Sequence, residues 1–307
     1  MSEAPPILSP AHSDARREAL RGHAAMLAFA ALISVSFTLG DRAAPHIDPA
    51  AMTTVRFLLA VVITGLVALP LMRLAHFRAP WRFAVIGGLF GAYFVLMFEG
   101  LQLTDPVSLA AIFTLIPIMS AGCGWVLLRQ VTTPGMALAL VIGGAGALWV
   151  VFRAEIAALL RFDLGRGEAL FLIGCAFHAV YTPLLAKLNR GEPALVFGFG
   201  TLVGGLVATA SYGGRELLNT QWSALPGIVW VAILNLGIMA TAVSFFLTRY
   251  AALRLPASKV MAYGYLVPSF VILWETLLDA ERVGAPVLLG VLATLVALGL
   301  LLRDERR

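Results

Sequence analysis

The chain has 307 residues, of which 60% are apolar and 13% charged, and its mean hydropathy is +0.90. The usual complement of charged residues for a water-facing surface is missing, which excludes an ordinary soluble domain. The net charge of +5 does not point to a nucleic-acid partner, because the basic residues fall between apolar runs, where membrane topology accounts for them.

Residues 1–21 are polar, basic and proline-containing, with no apolar run leading to a small-residue cleavage site, and read as a loose cytoplasmic tail. Ten apolar runs follow, near 22–41, 50–72, 82–103, 106–128, 134–152, 167–188, 194–212, 224–251, 256–278 and 283–302. Crossing a hydrocarbon layer takes roughly 20 apolar residues in a helix, since backbone N–H and C=O groups in lipid must be satisfied within the segment. The expectation is an all-α integral membrane protein of ten transmembrane helices. Close-spaced glycines, Gly87 with Gly91 and Gly200 with Gly204, predict near approach of neighbouring helices. Residues 153–166 form the longest outer connection. Ile156, Leu159, Leu160 and Phe162 recur there at near-helical spacing among Arg153, Glu155, Arg161 and Asp163, so the segment is either a short interfacial helix or an anchored loop. Cys123 and Cys175 lie in apolar runs without ligand-spaced partners and read as reduced packing residues, with no metal.

With the N-terminus inside, fifteen of the 22 basic residues fall on the cytoplasmic loops, six on the other face, and Arg56 lies within a span. Both termini, including residues 304–307, are then cytoplasmic, and the membrane is the inner one.

The chain also resembles itself weakly at an offset of 151 residues. Ala111, Leu115, Pro117 and Leu127 meet Ala262, Leu266, Pro268 and Leu278. That offset lays 22–152 on 167–303, five spans on five. An odd number of spans per half puts the second half into the membrane from the opposite side, so the repeat is inverted, the architecture of alternating access about a midplane site. Pro117 and Pro268 each remove a helical hydrogen bond and predict matched kinks, either hinges or fixed bends.

Polar groups inside spans are costly and usually face the bundle interior. Near the midplane are Tyr93, His178, Asn235, Tyr263 and Tyr265, and none has a like partner in the other half: Tyr93 meets Ser244, His178 Leu27, Asn235 Ala84 and Tyr263 Ile112. His178 shares a helical face with Tyr181 and with Gly174, which leaves room beside the ring. An imidazole there can bind a carboxylate, carry a coupled proton, or serve as a neutral core group. Phe90, Tyr93, Phe94 and Met97 make an aromatic stripe on span three, and Tyr263, Phe270 and Trp274 one on span nine. Either stripe suits an aromatic or hydrophobic substrate or ordinary packing. Trp274 is a candidate outer gate. Arg56 and Glu99 lie at similar depth with Asp41 near, which predicts either a structural ion pair or an ion or substrate path, while Glu275 is a proton site or reaches the interface.

Three stretches carry a resemblance that extends over nearly the whole chain: Arg56-Phe-Leu-Leu-Ala60, Gly100-Leu-Gln-Leu-Thr-Asp-Pro-Val-Ser-Leu-Ala-Ala-Ile-Phe-Thr-Leu-Ile-Pro117, and Tyr250-Ala-Ala-Leu-Arg-Leu-Pro-Ala-Ser258 leading to Pro268. In this order on ten spans they resemble the EamA-type transporters of the drug/metabolite transporter superfamily, and in length and overall similarity the YddG-like exporters of aromatic and other amino acids. The family's Gly-Glu pair has no counterpart at Leu128-Arg129-Gln130, and after span nine only Glu281 approaches it. The resemblance implies a ten-helix exporter of small metabolites, with amino acids favoured, working in membrane lipid as a monomer or weak homodimer. No nucleotide-binding loop is present, so gradients of substrate or protons would drive it without a cofactor. An intramembrane enzyme acting on lipid or a lipid-linked substrate is the competing class. It would need paired carboxylates or histidine-rich spacing near one interface, where only scattered single residues occur. A structural or channel subunit is the third class, and the polar residues unmatched between the halves count against it.

Overall fold

The computed structural model describes residues 10–129, 133–152, 155–161, 164–252, 254–255, 260, 263–279 and 285–303. Every regular element among them is helical. The first half comprises α1 (Pro10–Ala43), α2 (Pro49–Ala68), α3 (Trp81–Leu101), α4 (Pro106–Phe113), α5 (Ile116–Leu128) and α6 (Pro134–Val151). A short α7 (Ile156–Arg161) leads to α8 (Arg166–Leu188), α9 (Ala194–Asn219) and α10 (Gly227–Leu234). A π-helix (Asn235–Val243) joins α10 to α11 (Ser244–Ala252), and a 3-10 turn (Tyr263–Leu266) precedes α12 (Val267–Asp279) and α13 (Ala285–Arg303).

The starts of three helices follow one local rule. Asp48 accepts from the Ala50 and Ala51 N–H groups, Asp105 from Ser108 and Thr133 from Met136, each followed by proline at the first helical position. The cap satisfies donors left free by the first turn, and proline has none to satisfy.

Seven helical stretches are long and apolar enough to cross a membrane: Arg17–Ala43, Pro49–Leu71, Trp81–Leu101, Pro106–Leu128, Arg166–Leu188, Ala194–Asn219 and Gly227–Thr248. Shorter apolar helices cover Pro134–Val150, Tyr263–Leu278 and Leu288–Leu300. Large apolar side chains such as Leu66, Trp125 and Val126 face outward, as lipid contact requires. The protein is an all-α, multi-pass membrane protein.

Several elements depart from the sequence expectations. Residues 10–21, expected as a tail, extend α1; Ala and Arg are good helix formers, and Glu18 binds Arg254 at 2.8 Å. Ahead of Pro117 the span is interrupted over two residues, α4 ending at Phe113 and α5 starting at Ile116, with Thr114 and Leu115 still right-handed between them. Pro268 likewise falls in the first turn of α12, the position where a missing N–H costs least. In the connection expected on the outer side, Ile156–Arg161 is helical. Arg153, Phe162, Asp163, Glu281 and residues 304–307 lie outside the described residues.

Loop contacts sort the connections to two ends. At one end Arg82 binds the Leu188 carbonyl and Glu192, Lys187 reaches the Leu127 carbonyl at 3.4 Å, and Arg254 meets Glu18. At the other, Gln102 donates to the Ala44 carbonyl at 2.9 Å and Thr104 bonds Glu168.

The most extensive helix contacts join α6 to α13, α2 to α9, and α3 to both α8 and α9. Glycines set the closest of them. A Cβ on Gly87 would collide with the backbone of Thr201, Gly204 and Gly205, and one on Gly204 with the Phe83 carbonyl. Gly146 and Gly290 face each other in the same way, each 2.6–2.7 Å from the other's carbonyl as a Cβ would be placed. The close-spaced glycines of spans three and seven therefore pack against one another.

Candidate functional site

A cavity of about 750 Å³ lies between the two halves, bordered by α1, α2, α3, the α4–α5 break, α8, α9, the π-helix and α11. Its volume is in the range of small-molecule sites. The lining reaches Asn189 and Ala194 at the end that carries Arg82 and Glu192, and it includes none of residues 44–48, 102–105 or 219–226 at the opposite end. The cavity thus extends toward one end of the bundle; Phe98, Leu101 and Phe171, nearer the other end, are packed in the core and do not line it.

The wall is mainly apolar and carries a cluster of aromatic rings. The whole span-three stripe, Phe90, Tyr93, Phe94 and Met97, borders the cavity. On the facing helix α8 stand His178 and Tyr181. The Tyr93 and His178 rings meet edge to face with centroids 4.8 Å apart, Phe90 and Tyr181 stack at 4.7 Å, and His178 and Tyr181 are 5.3 Å apart. His178 Nδ1 is buried without a hydrogen-bond partner. Gly174 does not make room beside this ring; a Cβ there would come 3.2 Å from Leu96 Cβ and the Tyr93 carbonyl, so the glycine lets α8 approach α3.

Arg56 also borders the cavity, but not as half of an ion pair with Glu99. Its Nη2 donates to Thr241 Oγ1 at 3.3 Å and its guanidinium lies 3.5 Å from the centre of the Phe94 ring. Glu99 lies instead beside the Tyr212 hydroxyl. Equal depth in sequence did not imply proximity, because the two side chains leave their helices in different directions. Pro117 lines the cavity at the helix break; Pro268 does not.

The span-nine candidates are elsewhere. The Tyr263 hydroxyl is hydrogen-bonded to His23 Nδ1 at 2.8 Å, and Trp274 Nε1 donates to Ser34 Oγ at 2.8 Å, so the second stripe packs on α1. Neither residue borders the cavity, nor do Glu275 and Asn235, the first residue of the π-helix.

Residues the sequence did not single out complete the wall, above all Thr241 and Ser244. Their hydroxyls donate to the Leu236 and Ala240 carbonyls at 2.8 and 2.7 Å. Mid-span Ser and Thr commonly bond back to their own helix, which hides them in the sequence. The offset of 151 that sets Tyr93 against Ser244 held the available signal, and both border the same cavity.

Comparison with known proteins agrees with this architecture. An uncharacterized transporter of Bacillus subtilis (strain 168), YyaM, is 24% identical over 285 residues, 90% of this chain and 91% of that protein. A protein of known crystal structure superposes with a TM-score of 0.64 at 19% identity over 93% of this chain and 96% of the other, a likeness of fold. The profile of the EamA-like transporter family matches residues 20–152 and again 165–303. With nearly its whole length matched by two successive copies of the profile, the chain belongs to the EamA-like transporter family and is a membrane transporter.

Proposed function

We propose that the protein is a secondary exporter of small metabolites, with aromatic or hydrophobic amino acids favoured, working by alternating access across the inner membrane. The observation that carries this reading is the apolar cavity with its cluster of aromatic rings, whose lining reaches one end of the bundle and not the other. By the distribution of basic residues the open end is cytoplasmic, which suits the loading of a molecule for export.

Ten spans in two inverted halves account for the pattern of contacts. Exchanging the halves converts the α3–α8 contact into α1–α11, α3–α9 into α2 against the π-helix, and α5–α8 into α1–α12, while α2–α9 and α6–α13 map onto themselves. Each of these contacts is present. The twofold family match and the two helices that start one residue before Pro117 and Pro268 support the same duplication. Two related halves that repack about one chamber can open it to either side.

Purified protein in liposomes is expected to show saturable, counterflow-stimulated uptake of a radiolabelled aromatic amino acid. Tyr93→Ala and His178→Ala each remove a ring contact worth ~0.5–1.5 kcal/mol plus part of the wall, and should lower uptake roughly tenfold. Absence of transport for a whole panel of amino acids and related metabolites, at two pH values, would sink the proposal.

A further inference from the structure

Arg56 is an unusual component of this wall. Its side chain is 2% exposed, it borders the cavity, and its Nη1 is buried without a hydrogen-bond partner. Its contacts are the 3.3 Å bond to Thr241 and the Phe94 ring, both neutral. Arg21 and Arg254 pair with Glu18 and Arg82 pairs with Glu192, whereas Arg56 faces no carboxylate among the described residues. A guanidinium this deep in a span is retained at a cost, and such groups are normally paired or aimed at a wet pathway. Its planar fork of donors matches a carboxylate, which it can hold through two parallel hydrogen bonds.

The remaining lining sharpens the choice of ligand. Among the described residues that border the cavity there is no Asp, Glu or Lys, and Arg56 is the single permanent charge. The carboxylate of a zwitterion would find Arg56, but its ammonium group would meet aromatic faces and neutral acceptors such as Ser244 Oγ. A molecule with a carboxylate and no amine leaves no charge unmatched. We propose that Arg56 anchors the carboxylate of the transported molecule, and that the cavity takes hydrophobic monocarboxylates in preference to the corresponding amino acids. This rests on the cavity being the transport site and, within the small metabolites proposed above, replaces amino acids as the favoured substrate by their amine-free counterparts.

The test uses the full chain in detergent with Cys123 and Cys175 replaced and Ala194→Cys as a maleimide reporter at the cavity's open end. Three probes of one shape are compared: 3-phenylpropionate, phenylalanine and phenethylamine. Phenylpropionate is expected to protect the reporter at the lowest concentration, phenylalanine at a higher one, and phenethylamine not at all. Arg56→Gln should weaken protection by phenylpropionate about tenfold or more. It should also leave the unfolding temperature of the ligand-free protein unchanged or raised, because an unpaired buried charge has been removed. A purely structural Arg56 would instead give a lower unfolding temperature. Arg56→Lys keeps the charge without the fork and should retain intermediate protection, which provides the comparison if the Gln variant does not fold. Protection by phenethylamine equal to that by phenylpropionate, or protection by phenylpropionate that survives both substitutions, overturns the proposal and leaves the cavity reading standing. If none of the three protects, the carboxylate anchor is overturned; saturable uptake in liposomes then decides separately whether the transport reading also falls.

Discussion

Arg82 and Glu192 form an enclosed ion pair, 2.7 Å apart with side chains 2% and 5% exposed, and Arg82 also donates to the Leu188 carbonyl at 2.6 Å. Burial alone would raise the Glu192 carboxyl; the hydrogen bond from Arg82, those from the backbone N–H groups of Arg190 and Glu192, and the Arg82 charge outweigh it and hold the group at about 2. A carboxyl lowered on folding contributes stability above its unfolded value, 4.5 here, and that contribution is lost as pH falls toward 2. The difference in unfolding temperature between the parent protein and Glu192→Gln is therefore expected to be constant from pH 8 to 5 and to shrink below pH 4.5. Arg82→Ala leaves a buried carboxylate and a carbonyl unmatched, and should cost about 3–5 kcal/mol, read as a lower unfolding temperature in detergent. Neither residue stands out in the sequence, where both look like ordinary loop charges. Their partnership joins positions 110 residues apart, a separation no local pattern encodes.

At the scale of elements, the glycine spacings were legible and the helix breaks only partly so. Gly204 predicts its own experiment. In Gly204→Ala the new methyl group must displace the Phe83 backbone, so overpacking of about 1–3 kcal/mol should lower the unfolding temperature and the yield of folded protein. Gly122→Ala is the control: nothing lies within 4 Å of the added carbon, and exchanging glycine for alanine in a helix should leave stability equal or raise it by up to about 1 kcal/mol. Equal behaviour of the two variants would refute the close approach of α3 and α9. Proline announced a disturbance at 117 and 268, but whether it bends a helix or begins a new one depends on what the preceding turn packs against. The π-helix at Asn235–Val243, which packs against α2 and α1, left no mark in the sequence. It carries Thr241 to the guanidinium of Arg56.

For the whole molecule, the proposed topology places the connection at Leu74 on the cytoplasmic side and that at Gln221 on the other. A membrane-impermeant maleimide applied to intact cells should label Gln221→Cys and spare Leu74→Cys until the membrane is opened. The reverse pattern would invert the molecule, turning a cavity loaded from the cytoplasm into one open to the outside. Composition and the period of apolar runs determined by themselves that this chain lives in a membrane as helices, because satisfying every backbone group inside lipid leaves a chain of this kind little else to do. The motifs and the half-length repeat likewise carried the family. The tertiary structure decided which polar residues share one chamber: it joined Tyr93, His178, Tyr181 and Arg56 around the cavity and sent Tyr263, Trp274 and Glu99 to other partners. Depth along a span follows from counting residues, but the direction a side chain faces depends on rotation and packing against neighbours far away in the chain.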